Sequence, residues 1–261
     1  MLNIETKVTL NNGTKMPLLG LGTWQSKSGH VAYNAVKYAL KMGYRHIDTA
    51  KFYFNEESVG KAIRDSGIHR EEIWLTTKLF PLDAWNTQKA FETSFNKLDV
   101  GYIDLYLIHW PMPGLTKRNW LKMEEIFKNG KVKAIGVSNY SIDYLKDTLS
   151  FASIKPAVNQ IKLSPYNYNP KMHQFCKENG IVLEAYSPLT RGKNLNDQRL
   201  MTIADKYQKS SAQILLRWAL QKEIVVIPKS THDNRIKENA DLYGFEITPE
   251  DMTLIDSFST K

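Results

Sequence analysis

The chain has 261 residues, 42% hydrophobic and 24% charged, the balance of an ordinary soluble protein with one sizeable core. Its 6 Trp, 13 Tyr and 10 Phe exclude disorder, and the single cysteine, Cys176, excludes a disulfide framework. A net charge of +8 without any block of five or six basic residues argues against nucleic acid as a partner. No stretch approaches the roughly 18 apolar residues of a membrane span, and the segment 1–15 lacks the apolar core of a secretory signal. A reducing cytoplasm is the expected address.

In chain order, the segment 8–17 (VTLNNGTKMP) reads as a hairpin turning at Asn12-Gly13. Short apolar, β-branched runs then recur at 18–24, 44–50, 73–79, 104–110, 133–139, 156–162, 181–187 and 223–229. Segments of helical period separate them. In 30–43, Val31, Ala35, Tyr38, Ala39 and Met42 fall on one face. Asn55 before Glu56-Glu57, and Thr248 before Pro249-Glu250-Asp251, read as helix starts. Gly43, Gly67, Gly130 and Gly180 stand where helices should stop. Apolar strands alternating with helices imply parallel strands buried on both faces. About eight such units without a linker predict an α/β fold, one (β/α)8 barrel domain over 1–261 with an N-terminal hairpin. A doubly wound open sheet would want a glycine-rich turn, and 19–24 (LGLGTW) matches one poorly.

Barrel enzymes carry their chemistry at the C-terminal ends of strands. Those positions hold Asp48, Tyr53 five residues later, Lys78 and His109. Each alone has a bland reading: a helix cap, packing, a solvent-seeking amine, a core histidine. Together they suit carbonyl reduction, which needs a proton donor where negative charge develops on oxygen. A phenol with an ordinary pKa near 10 is a weak acid at neutral pH. A lysine about 4 Å away lowers its pKa by at most about three units before burial acts in the other direction. Asp48 would keep Lys78 charged, and neutral His109 would orient the carbonyl. A competing Tyr-x-x-x-Lys pair, Tyr33 and Lys37, lies on the first helix without a glycine-rich turn.

The segment 43–63 (GYRHIDTAKFYFNEESVGKAI) resembles the most diagnostic stretch of the aldo-keto reductases, Asp48 and Tyr53 included. WLTTKLF, DLYLIHWP, AIGVSNY, PAVNQI, AYSPL and VVIPKS follow in that family's order, so the resemblance spans roughly residues 7 to 258. It implies a monomeric, NADPH-dependent reductase of aldehydes and some ketones, with no metal. It assigns Tyr53 as the acid, Lys78 and Asp48 as its tuning pair and His109 as orienter. It places Lys229, Ser230 and Arg235 on the cofactor's 2′-phosphate, and Glu238 and Asn239 on the adenine edge. Ser138, Asn139 and Gln160 would meet the nicotinamide carboxamide, with Tyr186 stacked under its ring. Ser187, Leu189, Gly22 and Thr23 would line the pyrophosphate, and Trp24, Phe80 and Trp110 would wall the substrate. An alternative is a barrel kept as an interaction or structural protein, as in some relatives.

Two departures stand out. The family's Glu and His after Asn-Gln are replaced by Lys162 and Ser164, beside the expected cofactor groove. The chain also ends at Lys261, where larger members continue into a closing loop, and 110–120 is short. An open, shallow pocket is expected.

Overall fold

Asn12-Gly13 makes the predicted turn. Gly13 takes φ +84°, a left-handed value costly to any residue with a Cβ. The turn joins antiparallel β1 (Lys7–Thr9) and β2 (Lys15–Pro17). Asn11 and Asn12 donate through Nδ2 to the Pro156 and Lys133 carbonyls, both at 2.9 Å. Those carbonyls lie at the N-terminal ends of later strands, so the hairpin covers that end of the barrel. The computed structural model describes residues 2–259; Met1, Thr260 and Lys261, the outermost residues of the expected domain, lie outside it.

The eight strand-like runs all become strands: β3 (Leu21–Gly22), β4 (His46–Asp48), β5 (Trp74–Leu79), β6 (Ile103–Ile108), β7 (Val132–Ser138), β8 (Val158–Lys162), β9 (Val182–Tyr186) and β10 (Val225–Val226). They form one parallel sheet in sequence order. Its ends meet through parallel bridges from Leu19 to Val226 and from Gly22 to Lys229. The Gly20 and Gly22 amides donate to the Val226 and Pro228 carbonyls at 2.9 and 3.1 Å. A Cβ on Gly22 would stand 2.8 Å from the Ile227 carbonyl oxygen, and one on Gly20 2.7 Å from the His46 ring. Gly22 is therefore a closure device, where only hydrogen fits between the first and last strands, while Gly20 leaves room for the His46 ring of β4.

Helices α1 (His30–Lys41), α2 (Glu56–Arg64), α3 (Thr87–Leu98), α4 (Thr116–Lys128), α5 (Ile142–Phe151) and α6 (Pro170–Glu178) each follow a strand. Helices α7 (Gln198–Lys206) and α8 (Ser211–Gln221) both precede β10, and α9 (Asp233–Ala240) and α10 (Pro249–Asp256) end the fold. Gly43, Gly67, Gly130 and Gly180 all carry positive φ at the stops. The Thr248 side chain caps α10 on the Asp251 amide, with Pro249 in the first turn.

The buried face of α1 is rotated from the predicted one. Ala32, Ala35, Val36, Ala39 and Leu40 are buried, while Val31 and Tyr38 are only partly covered. The core takes the aliphatic stripe through Val36 and Leu40 and leaves Tyr38 partly covered at its margin.

Candidate active site

Alternate residues of a strand share a face, so His46 and Asp48 of β4 project together, as do Thr76 and Lys78 of β5. Asp48 pairs in register with Thr76, and Gln160 with Glu184 across β8 and β9. All six side chains are buried and meet in the barrel interior. Lys78 Nζ donates to Oδ1 and Oδ2 of Asp48, both at 2.7 Å, and to the Thr49 carbonyl at 2.9 Å. It stands 3.4 Å from the Tyr53 hydroxyl. Gln160 Nε2 donates to Asp48 Oδ2 and to Glu184 Oε2, each at 2.8 Å. Glu184 Oε1 lies 3.4 Å from His46 Nε2, which is 3.3 Å from Thr76 Oγ1.

Burial opposes the charge on Lys78, but Asp48 and Tyr53 outweigh it and its pKa rises above the ordinary lysine value. Burial pushes the Asp48 carboxyl upward, against the pull of Lys78 and Gln160. Burial and then Asp48 push Glu184 up to about 8, and burial brings His46 down to about 3. The interior thus holds one ion pair, Lys78 with Asp48, beside a carboxyl and an imidazole that stay neutral at pH 7.

Tyr53 ends a short 3-10 turn, Lys51–Tyr53, after β4. Burial is the largest influence on its phenol and exceeds the opposing pull of Lys78, so the pKa goes up to about 12. The lysine expected from the sequence to lower this pKa does pull it down, but by less than burial raises it. His109 follows β6, its amide held by the Leu79 carbonyl at 3.1 Å. Its ring stands edge-on to Tyr53 at 5.7 Å and stacks on Trp110 at 4.7 Å. Burial, aided by Lys78, lowers its pKa to about 2, so it is a neutral imidazole.

Asn55 does not cap α2 with its side chain as the sequence suggested. It is fully buried, accepts from Thr49 Oγ1 at 2.7 Å and donates to the Thr23 and Ser26 carbonyls, both at 3.0 Å. A buried amide needs every partner it can find, and these join the loops after β3 and β4. Tyr53 sits two residues away on the loop so held.

A cavity of about 600 Å³ opens over this cluster. Asp48, Tyr53, His109, Trp24, Trp110 and Gln160 line one part of it, with Gly22, Tyr186, Ser187 and Leu189. Lys229, Ser230, Arg235, Glu238 and Asn239 line the rest. Thr23, Lys78, Phe80, Ser138 and Asn139 stand one layer behind. Thr23 Oγ1 donates to the Asp48 carbonyl, and Phe80 stacks on Phe52 at 4.7 Å. Asn139 Nδ2 donates to the His109 carbonyl and Ser138 Oγ, while its Oδ1 accepts from the Tyr186 hydroxyl. Lys162 is exposed and Ser164 is buried on Asn167 Oδ1 at 2.6 Å; neither lines the cavity.

Sequence reasoning missed Phe52, Arg191 and Leu195 in the wall, and His46 and Glu184 beneath it. A glutamate inside the apolar run 181–187 was the available signal. The Tyr33–Lys37 pair does other work: both side chains reach Asp65 and tie α1 to the end of α2.

Arg191, Lys229 and Arg235 share this groove and form no side-chain ion pair among the described residues. Partial burial lowers the pKa of Lys229, with no acid to offset it. Three cations facing one groove, none ion-paired with the groove's carboxyls Asp48 and Glu238 among the described residues, define a site for an anionic ligand. Beside them lie the half-buried Tyr53, the buried Lys78–Asp48 pair and a neutral imidazole, the equipment of a carbonyl oxidoreductase.

The model of the Aldo/keto reductase family matches residues 18–260, and the chain belongs to that family. It is 45% identical to the glyoxal reductase of Bacillus subtilis (strain 168) over 259 residues, 98% of this chain and 94% of that one. It is 41% identical to methylglyoxal reductase DkgA of Escherichia coli (strain K12), covering 95% of this chain and 91% of the other. The crystal structure of a Bombyx mori aldo-keto reductase in complex with NADP superposes with a TM-score of 0.91. That protein is 34% identical, over 99% of this chain and 94% of its own. Among the described residues, no helix is long and apolar enough to cross a membrane.

Proposed function

We propose that this chain acts as a cytoplasmic, monomeric, single-domain reductase that uses NADPH to convert small aldehydes, dicarbonyls and some ketones to alcohols. The observation that carries the reading is the 3.4 Å approach of Lys78 Nζ to the Tyr53 hydroxyl at the floor of a groove whose cations form no ion pair among the described residues. Glyoxal and methylglyoxal are the first candidates, since the similar reductases are named for them.

NADPH, when bound, supplies the hydride that goes to the carbonyl carbon, chemistry no side chain can offer. Lys229, Ser230 and Arg235 would hold its 2′-phosphate, Arg235 through its planar fork. Glu238 and Asn239 fit the adenine edge. Ser187, Leu189 and Gly22 would line the pyrophosphate, Tyr186 the nicotinamide face and Gln160 its carboxamide, with Thr23 backing the first and Ser138 and Asn139 the last.

Tyr53 holds the proton at its hydroxyl, and with its pKa raised it stays loaded throughout the neutral range. As charge grows on the substrate oxygen, Tyr53 passes that proton across and Lys78 steadies the phenolate left behind. Asp48 keeps Lys78 protonated. Neutral His109 donates a hydrogen bond to the same oxygen and sets the carbonyl's orientation. Water then restores the Tyr53 proton.

The test is NADPH oxidation with methylglyoxal, aromatic aldehydes and ketones, by wild type and Tyr53→Phe. The Phe variant should still bind NADPH while reduction falls at least about a hundredfold. Equal rates would remove Tyr53 from the role. NADPH binding without turnover of any carbonyl would favour an interaction protein.

A further inference from the structure

Gln160 is bound by acids on its nitrogen alone. Its two amide hydrogens go to Asp48 Oδ2 and Glu184 Oε2, both 2.8 Å away. The opposite orientation would set the amide oxygen against carboxyl oxygens on both sides. Gln160 also lines the cavity, and its Oε1 accepts no hydrogen bond among the described residues. The groove therefore meets this side chain at its carbonyl.

We propose that Glu184 is a positioning residue: by accepting one Gln160 N–H while Asp48 accepts the other, it locks Gln160 so that only an acceptor faces the nicotinamide. The ligand group selected is a hydrogen-bond donor, the carboxamide NH2. This rests on the NADPH reading above. Asp48 is already engaged by Lys78 at both oxygens, so Asp48 alone leaves the second amide hydrogen unpaired and opposes a turn of the amide from one side only.

His46 completes the device. Among the described residues, Glu184 Oε1 has no partner closer than the His46 ring at 3.4 Å. A neutral Glu184 carries its proton on Oε1, the edge that faces the neutral His46 ring, which leaves Oε2 as the acceptor for Gln160. The buried carboxyl thus keeps its acceptor edge without adding a second negative charge beside Asp48.

The experiment measures dissociation constants for NADP+ and for its 3-acetylpyridine analogue, whose acetyl group cannot donate, by quenching of tryptophan fluorescence. Wild type should prefer NADP+ by at least about fivefold, because the analogue leaves a buried acceptor unpaired. Glu184→Met and Glu184→Val should bring the two within about twofold, since a freed Gln160 turns its NH2 toward the acetyl oxygen. Glu184→Gln keeps an acceptor and should restore the preference. Global damage weakens both ligands alike and does not move the ratio, and thermal melts show whether each variant is folded. An unchanged ratio in both the Met and Val variants would overturn the proposal alone. Should Met and Val both fail to fold, loss of the preference in Glu184→Gln would overturn it, and retention there would support it. Wild type failing to bind NADP+ would overturn the cofactor reading and this proposal with it.

Discussion

Lys78 places its ammonium 2.7 Å from both oxygens of Asp48, and the two side chains are only 0% and 2% exposed. Removing one member of such a pair strands the other as an uncompensated buried charge, at a cost of about 3–5 kcal/mol. Removing both leaves no unpaired charge. Lys78→Met and Asp48→Asn should each lower unfolding free energy by about that amount, while the double variant falls well short of their sum. Denaturant unfolding of the three proteins measures this, and additive losses would mean the groups do not act as a pair. Reduction should be lost in all three, which separates stability from chemistry.

Asn55 offers a different separation. A helix cap at its position would be worth about 1 kcal/mol. Its observed role leaves the Thr49 hydroxyl and two carbonyls without their partner when it is shortened. Asn55→Ala should therefore cost about 2–4 kcal/mol and lower kcat severalfold by loosening the loop that carries Tyr53. A loss near 1 kcal/mol with kcat unchanged would return the residue to an ordinary cap.

The same residue marks where sequence reading stops. Strand positions were legible because eight apolar runs had to be buried on both faces, and the ends of β4, β5 and β6 named Asp48, Lys78 and His109. Asn55 was not, because its cap pattern with Glu56-Glu57 is local while its real partners lie across two loops. Glu184 and His46 were passed over because no local pattern says that side chains 138 residues apart in sequence share one interior. The rotation of α1 and the upward shift of Tyr53 have a common cause. Both are decided by how much surface the finished barrel covers, a quantity that residue spacing does not carry.

Arg235 tests the anionic groove. Its guanidinium has no carboxylate partner among the described residues and lines the cavity beside Lys229 and Ser230. Arg235→Ala should weaken NADPH binding tenfold or more, as expected for a charge-assisted contact of about 1.5–3 kcal/mol. NADH, lacking the 2′-phosphate, should lose less. Titrating both cofactors settles it, and equal losses would assign Arg235 a structural role.

A stack of aromatic rings stands at the cavity beside Tyr53. Trp24 lies against Phe52 at 5.4 Å and 18°, and Phe52 against Phe80 at 4.7 Å and 7°. Phe52 and the two tryptophans, Trp24 and Trp110, line the cavity, whereas Phe80 backs Phe52 from outside it. The wall expected of Trp24, Phe80 and Trp110 thus has Phe52 where Phe80 was placed. An aromatic aldehyde would gain about 0.5–1.5 kcal/mol from a ring contact of this kind beyond the area it buries. Methylglyoxal has no ring to stack. Phe52→Ala should accordingly raise KM for benzaldehyde by about two- to tenfold and leave KM for methylglyoxal within twofold. Phe80→Ala should act only by letting Phe52 tilt. Its effect on benzaldehyde should then be smaller, and adding it to Phe52→Ala should change little. Steady-state kinetics of the two single variants and the double variant decide the point. Independent, additive penalties from Phe80 would show that it touches substrate directly, and equal penalties for both aldehydes would show that the stack holds the loop rather than the ring.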